Sequence, residues 1–156
     1  MAVGDNGTFL TSPDGTTWAK RNSGTSEEFL GVTYGNGIFL TIGLDGNILI
    51  SPDGTTWTEG SYEKSDSYGF FKATTYGNGL FVTVGFFGTI LISPDGITWT
   101  QRTSGTWAYL RGVTYGNGLF VTVGESGTIL TSPDGNSWTK RTSGTSKYLI
   151  GVTYSQ

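Results

Sequence analysis

Ser12-Pro13-Asp14-Gly15-Thr16-Thr17-Trp18 is the stretch that decides the fold, because the chain repeats its frame four times. Ser-Pro-Asp-Gly turns stand at 12–15, 51–54, 93–96 and 132–135, each followed three residues later by a tryptophan: Trp18, Trp57, Trp99 and Trp138. The spacings are 39, 42 and 39 residues. A fixed period of this size marks an array in which each repeat is one supersecondary unit that buries its faces against its neighbours. A second marker, Tyr-Gly-Asn-Gly, begins at Tyr34, Tyr76 and Tyr115, and the fourth tyrosine is Tyr154.

Between these markers the residues read as four short strands. In the last complete repeat they are Leu110 to Tyr115, Leu119 to Val123, Thr128 to Thr131 and Asn136 to Arg141, all rich in β-branched and aromatic residues. Asn-Gly between the first two strands is a type I′ hairpin signal, because both central residues need positive φ. Ser-Pro-Asp-Gly between the last two suits a type I turn, with Ser at i, Pro at i+1 and Gly at i+3. The unit is a four-stranded antiparallel meander of about 40 residues, the size of a propeller blade. The fold class is all-β, and residues 1–156 form one propeller domain with four blades per chain.

Met1-Ala2-Val3-Gly4 aligns with Val121-Thr122-Val123-Gly124, so the chain opens on a second strand and finishes on a first strand, Leu149 to Tyr154. Adding that strand to the N-terminal three would close a ring by strand exchange and leave no open edge. Both ends fall in one hairpin, which reads as an excised or engineered half-propeller. Small residues recur on the innermost strand, at Gly31, Ala73, Gly112 and Gly151. Small residues suffice where blades lie nearly face to face, as in an eight-bladed ring. Two chains are therefore expected to form a homodimer of eight blades, with a four-bladed monomer as the alternative.

The turn residues also carry a family resemblance. Ser12, Asp14 and Trp18, with Ser51, Asp53 and Trp57, Ser93, Asp95 and Trp99, and Ser132, Asp134 and Trp138, resemble the Asp-box of sialidase-type (BNR) repeats. The interval from Asp to Trp is one residue shorter than in sialidases and is similar to that of the wider group of bacterial propellers with Ser-x-Asp-Gly-x-x-Trp hairpins. The resemblance implies a structural role for these residues, away from any active site. A sialidase-type hydrolase is disfavoured: Arg21, Arg102 and Arg141 share one position on the outermost strand and would be spread around the rim. No carboxylate pair for glycoside hydrolysis stands out.

Composition narrows the chemistry further. The chain has 26 glycines, 26 threonines, no histidine and no cysteine, with 12 acidic against 9 basic residues. Thiol nucleophiles, imidazole bases and thiolate or imidazole metal sites are absent, so no catalytic residue, metal or cofactor is assigned. A net charge of −3 gives no reason to expect nucleic acid. No apolar run reaches a membrane span and no signal peptide is visible, so the compartment is unmarked.

Strand direction places the two uniform turns on one face of the ring and the two variable connections on the other. Aromatics occupy variable positions that other repeats fill with Asp, Ser or Glu: Tyr68, Phe86, Phe87, Trp107, Tyr109 and Tyr148. They are the candidate binding surface, suited to stacking on glycans or to a protein contact. Lys72 and Arg111 share a position near the start of the innermost strand and are candidate channel cations for an anion. The reading is a non-enzymatic propeller scaffold whose partner is itself, with a lectin-like, carbohydrate-binding module as the alternative.

Overall fold

The computed structural model describes residues 1–60 and 70–155. Tyr68, one of the candidate surface residues, lies outside them. The first sheet holds β1 (Ala2–Gly4), β2 (Thr8–Thr11) and β3 (Ala19–Asn22). The second holds β4 (Phe29–Gly35), β5 (Ile38–Gly43), β6 (Ile48–Ser51) and β7 (Thr58–Glu59). The third runs β8 (Phe71–Gly77), β9 (Leu80–Gly85), β10 (Ile90–Ser93) and β11 (Thr100–Arg102). The fourth runs β12 (Leu110–Gly116), β13 (Leu119–Gly124), β14 (Ile129–Ser132) and β15 (Thr139–Arg141). Every pairing is antiparallel between consecutive strands, so each sheet is a meander, and the four stack as the blades of a β-propeller. Among the described residues no helix is long and apolar enough to cross a membrane.

Turn chemistry sets the register. Asn36, Asn78 and Asn117 take φ near 49° with a positive-φ glycine after each, the I′ geometry that the Asn-Gly pairs demand. Packing then alternates along each strand. Phe81 faces the second blade, in a cluster with Leu40, Ile42, Ile48, Ile50, Phe71 and Leu91. Val82 and Val84 face the fourth, in a cluster with Ile90, Ile92, Leu110, Val113, Phe120 and Leu130. Each fully buried side chain of this kind contributes about 1.5–3 kcal/mol, so the seams between blades, more than any one sheet, carry the fold.

Two further contacts recur at each seam. The box tryptophan reaches the preceding blade: Trp57 meets Phe9 edge-on at 4.6 Å, Trp99 packs on the second–third seam and Trp138 on the third–fourth. The tyrosines of β8 and β12 each lie over a glycine of the preceding blade's inner strand. A Cβ on Gly35 would stand 2.0 Å from the Tyr76 ring, and one on Gly77 would stand 2.1 Å from Tyr115. Only glycine admits that approach.

The C-terminal segment departs from expectation. Leu149 to Tyr154 is not a strand and pairs with no sheet of the chain. It nevertheless lies where the inner strand of a next blade would be. A Cβ on Gly116 would meet the Tyr154 ring at 2.2 Å, repeating the contacts of Gly35 and Gly77, and Leu149 donates its N–H to Gly124 O at 3.0 Å. At the other end β1 pairs only with β2 and its second edge is open.

Inner strands carry one irregularity each. The register shifts between Phe29 and Gly31, between Phe71 and Ala73, and between Leu110 and Gly112. Leu30, Lys72 and Arg111 are therefore bulge residues, released from the ladder and re-aimed. A buried threonine closes two of these bulges: Thr41 Oγ1 donates to Gly31 O at 2.9 Å and Thr122 Oγ1 to Gly112 O at 2.8 Å. In the third blade Thr83 donates instead to Thr74 Oγ1.

Candidate functional site

The uniform face is occupied with its own hydrogen bonds. Asp14 Oδ1 accepts from the backbone N–H groups of Thr16 and Thr17, both at 2.8 Å, while Ser12 Oγ accepts from Gly15 N. Asp53, Asp95 and Asp134 repeat the arrangement. These backbone donors favour the ionised form and hold all four carboxyls below the usual aspartate range. Trp18, Trp99 and Trp138 each donate Nε1–H to the carbonyl of the turn glycine. Trp57 Nε1 is the exception, buried without a partner among the described residues.

The variable face is different. Phe86 and Phe87 form the tip of the β9–β10 connection, where Phe87 takes φ 54°, a left-handed conformation that Asn6 and Ser126 take in other repeats. A bulky residue there is strained. Phe86 stacks on Tyr109 with centroids 4.3 Å apart and planes 4° from parallel, and Phe87 meets Tyr109 edge-on at 5.1 Å. Phe70, just before β8, closes the cluster against Phe86 at 5.4 Å. Three of the six sequence-derived surface residues thus come together at the third–fourth seam. Trp107 makes no ring contact with them and stands 81% exposed, while Tyr148 lies apart beside Arg111.

The two cations are drawn onto these loops by their bulges. Lys72 Nζ sits 5.2 Å above the Phe86 ring. Arg111 pairs with Glu125 through Nη2 and lies over Tyr148 at 5.3 Å. Lys72 is held by the β9–β10 connection and Arg111 by the β13–β14 connection, so Arg111 already has its anion.

Sequence reasoning passed over the rim. Where the outermost strand meets the two variable connections, three repeats carry an equivalent depression containing Arg21, Arg102 or Arg141. In the first and fourth blades the arginine is tied down: Nε donates to Thr11 Oγ1 and to Thr131 Oγ1, each at 2.8 Å. In the third blade Ile92 stands where those threonines are. Arg102 Nε is buried with no partner, and no hydrogen bond or ion pair holds this arginine among the described residues. The depression, about 290 Å³, also has Phe87 and Trp107 in its wall. The available signal was Ile before the box serine in a repeat that keeps the rim arginine. In the second repeat Ile50 is accompanied by Gly60 instead.

No protein-family model matches the chain, and no curated protein does. Solved structures do. YCF48 bound to D1 peptide superposes with a TM-score of 0.72 at 21% identity over 96% of this chain and 51% of that one. The computationally designed Ika4 protein gives 0.66 at 12% identity over 83% of this chain and 81% of that one. The computationally designed Ika8 protein gives 0.68 at 12% identity over 99% and 52%. This chain spans about half the length of the YCF48 and Ika8 structures. These likenesses establish the β-propeller fold.

Proposed function

We propose that this propeller is a self-assembling scaffold in which two chains close one eight-bladed ring, each lending Leu149 to Tyr154 to the open β1 edge of the other. The observation that carries the reading is the placement of Tyr154 over Gly116, the contact that Tyr76 and Tyr115 make at internal seams. A segment in inner-strand position without a ladder, and a sheet edge without an inner strand, are complementary surfaces. Two large rings support the same reading. Trp18 is 46% exposed and Tyr34 is 59% exposed, although Trp57, Trp99 and Trp138, and Tyr76 and Tyr115, are half-buried. Each would be covered by the blade that a second copy supplies. One loss of translational and rotational freedom, about 4–15 kcal/mol, is set against two such seams, which favours an obligate dimer.

Light scattering on the eluting 156-residue chain tests this across a range of concentrations. A mass of two chains that does not change on dilution is expected; a single-chain mass overturns it. The scaffold is read as non-enzymatic, and glycosidase turnover by the purified chain would defeat that part. A second reading, carbohydrate binding, rests on the exposed indole of Trp107. Glycan-array binding that disappears in Trp107→Ala would support it.

A further inference from the structure

We propose that the depression at the rim of the third blade binds a small molecule carrying a carboxylate on a planar apolar body. Three depressions share a backbone frame, a rim arginine and a Ser-Gly-Thr loop: Ser23 to Thr25, Ser104 to Thr106 and Ser143 to Thr145. In two of them the arginine is a structural strut, its Nε bonded to a threonine hydroxyl. In the third the strut is removed by a single side chain, Ile92, and Arg102 stays in place without it. Arg102 Nε is buried without a partner among the described residues, while the half-buried side chain lines the depression, where an anion on its other N–H groups gains a charge-assisted bond that no group of the fold supplies. The planar fork matches a carboxylate best.

The walls specify the rest of the ligand. The first and fourth depressions are lined by polar residues, Asn6 and Asn22 in one and Ser126 and Ser146 in the other. The third replaces Asn6 and Ser126 with Phe87, and the position of Ser146 with Trp107. Phe87 holds a left-handed conformation and 41% exposure at the same time, so the chain accepts both backbone strain and an exposed ring there. Trp107 is more exposed still and rests on no other ring. Two aromatic faces beside one free guanidinium provide stacking and a charge anchor together. A volume of about 290 Å³ admits a ring with a short acid arm. The site lies inside the third blade and does not depend on ring closure.

The probe is phenylacetate, titrated into the full chain and followed by Trp107 fluorescence and by amide shifts of Gly88 and Gly105. Saturable binding is expected, with phenylacetamide and acetate each weaker by about tenfold or more, since one lacks the charge and the other the ring. Arg102→Gln should lose binding by about tenfold. Ile92→Thr keeps the charge and both walls but rebuilds the strut seen in the other blades, and it should lose binding to a similar degree. Arg141→Gln should bind as the parent does. Phenylacetamide binding as tightly as phenylacetate would overturn the proposal, as would unchanged binding in Arg102→Gln or the absence of any shift on titration. If Ile92→Thr fails to fold, Arg102→Gln and the ligand pair still decide it, because the Arg102 side chain holds nothing else together.

Discussion

The third–fourth seam and the open end of the first blade are built from the same repeat positions, yet they behave as opposites. At the closed seam Trp138 packs on the preceding blade and Tyr115 lies over Gly77. At the open end Trp18 and Tyr34 have the same local sequence around them and stand in solvent. The box turn itself is alike in both places, down to the Trp Nε1 bond to the turn glycine. Local structure in this fold therefore comes from the repeat, and burial comes from having a neighbour.

The sharpest way to break that contrast is to remove the segment thought to supply the missing neighbour. Deleting residues 149–156 should convert a two-chain mass to one and lower the melting midpoint by about 10 °C or more. A truncated chain that melts like its parent would show that the open end stays open. Next in size is a pair of tryptophan substitutions. Trp138→Ala should cost about 3 kcal/mol by denaturant unfolding, and Trp18→Ala should cost about as much if a second chain covers it. A Trp18→Ala variant close to neutral would leave the asymmetry real in solution.

Glycines sharpen the comparison further. Gly77→Ala places a methyl against the Tyr115 ring and should cost about 1–3 kcal/mol. Gly151 has nothing within 4 Å of its Cβ position in one chain, whereas its repeat equivalent Gly112 meets Ile150 O at 3.1 Å. Gly151→Ala is thus silent in an open chain and destabilising in a closed ring, read as a concentration-dependent melting midpoint. The smallest effect expected is that of pH. The turn aspartates are more acidic folded than unfolded, so their stabilisation is complete above the unfolded value and drains as pH falls through the folded one. Melting should be flat from about pH 5 to 8 and decline below about pH 4. Asp14→Asn and Asp134→Asn should weaken that acid limb equally, since the box does not depend on a seam; unequal changes would tie the turn to its neighbour.

The period, the hairpin glycines and the box made the blade legible in the sequence, because each is a backbone requirement that few residues meet. The bulge was not legible: Lys72 and Arg111 read as channel cations from their place on the innermost strand, and the contacts with Phe86 and Glu125 follow from a register shift that the residues do not announce. Leu149 to Tyr154 has strand composition, but a strand is a property of a pair, and the segment makes no ladder with any sheet of the chain. Among the candidate residues, Phe86, Phe87 and Tyr109 were recognisable as aromatics in turn positions. Arg102 was not, because its freedom depends on a side chain ten residues away on the adjacent strand.

The threonine bonds of Thr41 and Thr122 to the bulge carbonyls have a consequence for how such a chain diversifies. They anchor the backbone beside a position while leaving that position outside the ladder, so Leu30 and Arg111 sit in the same socket with different chemistry. The frame and its cargo are inherited separately. A library randomised at these positions, each together with its loop partner, would sample new faces on an unaltered blade.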